Sequence, residues 1–164
     1  KLSLKNVLAP TVVGAMMIFS LMGCKSGRNS ITAFRDSGIP ETEYWQVESI
    51  VSGNRITVKN GFQKRTLQLC GVSDLTPEAK SYLEEQVEQS PETVPTIFAG
   101  KDTDIWYGDV WVGTGDEEES ATGLLLFNGF ARLSDDYYTC ANGDSLKLAE
   151  NLAREKKSGV WANK

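Results

Sequence analysis

Residues 52–73 read SGNRITVKNGFQKRTLQLCGVS, and this stretch decides the fold. RITVKN and KRTLQLCGV within it are rich in β-branched and apolar side chains alternating with polar ones, the period-two pattern of strands that show one face to a core. Asn60-Gly61 stands between them and predicts a tight hairpin there. The second strand then runs into a Cys70-Gly71 corner.

Working outward, the run YWQVESIV starting at Tyr44 supplies a strand ahead of the hairpin. Behind it, Thr76-Pro77-Glu78 opens an amphipathic helix with Thr76 as N-cap, Pro77 in the first turn, and Leu83 and Val87 at helical spacing. It stops near Ser90-Pro91. Val94 to Ala99 and Val110 to Val112 read as two further strands. The acidic run Asp116 to Glu119 is placed to stabilise the N-terminus of a second helix, Ala121 to Asn128, closed by Gly129. A last helix follows Asn142-Gly143-Asp144 and carries Leu146, Ala149, Leu152 and Ala153 on one face. The order of elements predicts an α+β domain: a five-stranded β-barrel of the OB type with three helices.

Three segments are expected: 1–24, 25–43 and 44–164. The first has Lys1 and Lys5, an apolar run from Val7 to Leu21, and Leu-Met-Gly before Cys24. That is the layout of a bacterial lipoprotein signal with Cys24 as lipid acceptor, and equally of a short uncleaved hydrophobic anchor helix. Either way the basic flank holds the N-terminus in the cytoplasm and places the domain on the extracytoplasmic side of a membrane. Residues 25–43 are polar and rich in breakers, and read as a tether.

Of the chain's 17 basic and 22 acidic residues, five and three precede Tyr44. Twelve basic and nineteen acidic remain in the domain, a net charge near −7. That sign opposes nucleic acid as a partner, because such binders gain affinity by setting Lys and Arg against phosphates. The chain has no histidine, which excludes imidazole catalysis and the commonest metal ligand together.

The Ser-Gly-Asn-Arg turn, Leu67-Gln-Leu-Cys-Gly-Val, the Pro-Glu-Ala helix, Tyr107-Gly108, Asn128-Gly129-Phe130-Ala131 and Gly159-Val160-Trp161 resemble, in order and spacing, the thermonuclease (staphylococcal-nuclease-like) family over about 44–161. The likeness is greatest to a bacterial branch that pairs a Cys-Gly strand end with a Tyr-x-Cys before the last helix. It implies a Cys70–Cys140 disulfide. The family holds Ca²⁺ on two aspartates; their counterparts are Asn54 and Ser73, so both charges are gone. It binds phosphate with two arginines; their counterparts are Gln68 and Asp109, the second a charge reversal beside the expected phosphate. The loop that bears the family's general-base glutamate has nearly vanished, and Glu78 is the residual candidate for that role.

The resemblance therefore implies a catalytically silent domain that holds no metal, and with the N-terminal segment as tether the expected role is that of a protein-binding or accessory subunit of a membrane complex. The helix around Leu124-Leu125-Leu126-Phe127 supports a partner surface, since four large apolar residues in a row force Leu124 or Phe127 outward; deeper burial is the competing reading. One alternative is a Ca²⁺-dependent nuclease retaining weak activity through Glu78, Asp74 and Arg55. Another is a module for small ligands or the cell envelope, with Trp106, Tyr107 and Trp111 as an aromatic ledge.

Overall fold

The computed structural model describes residues 41–162 of the chain. The expected signal or anchor, including Cys24, and the tether up to residue 40 lie outside the described residues. Among the described residues, no helix is long and apolar enough to cross a membrane.

The fold is α+β. Five strands close into a barrel: β1 (Thr42–Ser52), β2 (Arg55–Asn60), β3 (Gln63–Leu69), β5 (Val94–Asp102) and β6 (Ile105–Val112). Their order is β3-β2-β1-β5-β6, and a parallel β3–β6 pairing closes the ring. β1 makes closure possible by serving two neighbours. Thr42 to Trp45 pair with β5, whereas Gln46 to Ser52 pair with β2 through a ladder broken by two register shifts. β5 and β6 meet most tightly at Gly108, where a Cβ would lie 1.9 Å from the Ile97 carbonyl oxygen. Two-residue strands β4 (Val72–Ser73) and β8 (Arg132–Leu133) pair with each other, and β7 (Glu119–Ser120) adds to β6.

Three helices pack on the barrel: α1 (Ala79–Glu88), α2 (Ala121–Phe127) and α3 (Gly143–Lys156). The core joins Ile56, Val58, Leu67, Leu69 and Val110 of the barrel to Leu83, Leu125, Leu126 and Leu146 of the helices. The Cys70–Cys140 disulfide is formed, with Cα atoms 5.8 Å apart, and ties the end of β3 to the approach of α3.

Three local expectations are corrected. The hairpin turn lies one residue later than Asn60-Gly61: Asn60 pairs with Gln63, so Gly61 and Phe62 form the two-residue loop. Gly61 has φ +57° and Phe62 is not left-handed, the pattern of a turn with glycine at its first central position. Thr76 does not cap α1. The N-cap position falls on Glu78, and among the described residues Thr76 Oγ1 has no hydrogen-bond partner. Finally, the acidic run does not enter the first turn of α2. Part of it forms a 3₁₀ turn at Gly115–Glu117 and part forms β7.

Candidate functional site

The outer face of the barrel at the end of β3 and the middle of β6 borders a cleft of about 480 Å³. Gln68, Cys70, Gly71, Lys101, Tyr107 and Asp136 are among its walls. Gln68 and Tyr107 are direct partners in the parallel β3–β6 ladder, so the pleat turns both outward together. Across the antiparallel β2–β3 ladder Gln68 faces Arg55, whose Nη2 donates to Gln68 Oε1 at 2.9 Å. A guanidinium thus stands beside Gln68 but comes from the neighbouring strand.

The Ser52–Asn54 turn is fixed from both sides. Leu69 N donates to the Asn54 carbonyl at 2.8 Å. Gly53 lies against α1 so closely that a Cβ would be 2.7 Å from Ala79 Cβ. Asn54 Oδ1 accepts from Ser52 Oγ at 3.1 Å, and Ser73 Oγ approaches the Arg132 carbonyl at 3.5 Å. Neither position carries a carboxylate. Ca²⁺ binds through several hard, mostly anionic oxygens, and among the described residues no three Asp, Glu, Cys or His side chains converge as a ligand set. The donors present do not fit that ion. Glu78 and Asp74 are exposed, Glu78 at the start of α1 and Asp74 in a left-handed conformation at φ +46°.

Asp109 is elsewhere. It follows Tyr107 by two residues, so alternation puts it on the same outward face of β6, yet it is only 4 % exposed and does not line the cleft. The N-termini of α2 and α3 cover it. Asp109 Oδ1 accepts from Val110 N at 2.9 Å and Thr122 N at 3.2 Å. Oδ2 accepts from Ser120 Oγ and from Asn142 Nδ2, the latter at 3.2 Å. Ser120 in turn caps α2 by accepting from Gly123 N at 2.9 Å. Burial pushes the Asp109 carboxyl above its ordinary range, and the bonds from Ser120, Thr122 and Asn142 pull the other way. A carboxylate where two helices begin meets two sets of positive partial charge, which is what the acidic run was expected to answer on the α2 side.

From that junction α2 and α3 run along either side of an apolar groove of about 310 Å³. Leu124 and Phe127 line it from α2, Leu148, Ala149 and Leu152 from α3. Leu125 and Leu126 are fully buried while Leu124 and Phe127 are half-buried, so the four-residue apolar run divides between core and groove. Leu148 on the far wall is 58 % exposed, and Lys156 Nζ sits 4.0 Å from the centre of the Phe127 ring at one end. The composition of α3 gave a weak signal for Leu148, which falls outside the apolar face read from Leu146, Ala149, Leu152 and Ala153.

The aromatic ledge is not assembled. Trp106 lies against the Arg65 guanidinium, which is 4.2–4.5 Å from the ring centres of Trp45, Phe98 and Trp106 and is ion-paired to Glu43 at 3.6 Å. Tyr107 alone of the three lines the cleft.

No family model matches the chain, and no curated protein matches it. The class that the fold itself defines is a small closed five-stranded barrel carrying three helices, compatible with the OB and staphylococcal-nuclease-like architectures.

Proposed function

We propose that this is a membrane-tethered, catalytically silent thermonuclease-like domain that works by binding a protein through the groove between α2 and α3. The reading is supported by a contrast: the cleft has neither a carboxylate pair for a cation nor an arginine at Gln68 or Asp109, whereas the groove keeps Leu124, Phe127 and Leu148 at a partly open apolar surface. No cofactor is required. The tether places the domain on the extracytoplasmic side.

Two measurements test it. The chain is assayed for hydrolysis of single-stranded DNA with and without millimolar Ca²⁺, and the expected rate equals that of buffer. Calcium-dependent cleavage would overturn the silent reading. Native membranes are then cross-linked with wild type and Leu148→Asp; the variant keeps its thermal midpoint, because the side chain is mostly exposed, and loses the cross-linked partner.

A second reading rests on Arg55. Its guanidinium beside Gln68, with Lys101 and Tyr107 on the same cleft, supports residual handling of a phosphodiester with Glu78 or Asp74 as base. In that case Arg55→Ala abolishes a measurable nuclease activity that the first reading denies.

A further inference from the structure

The turn correction has moved a phenylalanine to the tip of the β2–β3 hairpin. Phe62 is fully exposed, at 109 % of its reference area. Tyr44, near the start of β1, is 62 % exposed. The two belong to one end of the barrel, because Asn60 Nδ2 beside the turn donates to the Tyr44 carbonyl at 3.1 Å. It is also the end at which β1 begins, at Thr42. Exposed to water these rings gain no burial energy, whereas at a bilayer surface the tyrosine sits with its polar tip at headgroup level and the phenylalanine ring enters the headgroup–acyl boundary.

We propose that this end of the barrel is a second membrane contact, with Phe62 and Tyr44 entering the interfacial layer of a phospholipid bilayer. The proposal rests on the reading that residues 1–24 tether the chain to a membrane. A tether makes the second contact intramolecular, so two aromatic side chains suffice where they would not hold a free protein. Charge plays little part. Lys59 and Lys64 flank the turn as ladder partners, but Lys64 is ion-paired to Glu48 and Arg65 to Glu43, and Asp102 and Asp104 lie at the adjoining β5–β6 turn. The contact therefore draws no support from anionic lipid. β3 runs from the tip to the disulfide through seven residues, about 23 Å of strand, so Cys70 and Gly71 lie toward the opposite end of the barrel from Phe62.

The experiment uses the full chain reconstituted into phosphatidylcholine vesicles, with wild type, Phe62→Trp and Tyr138→Trp compared. Tyr138 is 74 % exposed and lies beside Cys140, at the disulfide end. Flotation reports the tether, and quenching by brominated phosphatidylcholine, corrected for the native tryptophans, reports depth. The expected result is that all three proteins float and that the tryptophan added at position 62 is quenched at least about threefold more deeply than the one at 138. Flotation with equal quenching at both positions, or deeper quenching at 138, overturns the membrane contact and leaves the tether standing; it also turns the exposed tip toward a protein partner. Failure to float overturns both.

Discussion

Gln68 on β3 and Asp109 on β6 share the outward face of the barrel. Their surroundings differ. Gln68 remains at an open cleft, where its one strong partner is Arg55. Asp109 is sealed beneath the starts of α2 and α3 and accepts hydrogen bonds from Val110, Ser120, Thr122 and Asn142. At the first position the side chain borders solvent and holds one cross-strand hydrogen bond. At the second the carboxyl group is part of the framework, joining β6 to the starts of two helices. Two polar residues on the same face of one barrel thus have different structural weight, according to what covers them.

The sharpest way to break this contrast is to place an arginine at each position. Asp109→Arg buries a cation against two helix N-termini and orphans the Ser120, Thr122 and Asn142 donors, at a cost of about 3–5 kcal/mol or more. Loss of a cooperative urea transition is the expected outcome. A variant that melts like wild type would show that the junction carries no load.

Breaking the disulfide comes next. The Cys70–Cys140 bridge spans a sequence separation of 70, for which the chain-entropy account gives about 4 kcal/mol. Cys70→Ser with Cys140→Ser should lower the urea midpoint accordingly. A change below about 1 kcal/mol would mean that the reduced chain keeps its loop closed by other contacts.

Asp109→Asn asks how much of the junction is charge. Burial raises the folded-state pKa above the unfolded value of about 3.9. Between those two values the folded state binds more protons, so wild-type stability falls as pH rises through the folded pKa and is regained as pH falls. The asparagine variant has no such slope. Its deficit relative to wild type is expected to be about 1–3 kcal/mol near neutral pH from the disturbed donors, and to widen as pH drops toward 4. Parallel stability profiles of the two proteins would refute this.

The smallest effect belongs to Gln68. Gln68→Arg and Gln68→Ala are each expected to change stability by less than about 1 kcal/mol, since the side chain is half-buried at a solvated cleft. A larger loss would erase the difference between the two positions.

Much of the architecture was legible in the residues. Alternation in RITVKN and KRTLQL located β2 and β3, and the apolar spacing around Leu83 and Leu146 located helices with those side chains in the core. The expected strands at Val94 and Val110 came out longer, as Val94–Asp102 and Ile105–Val112, because their outer ends complete the barrel closure through pairing rather than through apolar pattern. The cleft was partly legible, since Gln68 and Tyr107 are placed on it by the strands themselves. Asp109 was not, because the covering groups come from Ser120, Thr122 and Asn142, between 11 and 33 residues away.

The sequence by itself determined the order of the main strands and helices, the net negative charge and the absence of histidine. These follow from composition and local periodicity, which a chain carries whether or not it is folded. Tertiary structure alone decided the one-residue shift that lifts Phe62 to the hairpin tip, the burial of Asp109 and the division of Leu124 to Phe127 between core and groove. Each depends on a register or a packing partner distant in the chain, and a one-residue change in register is enough to decide which side chain meets water.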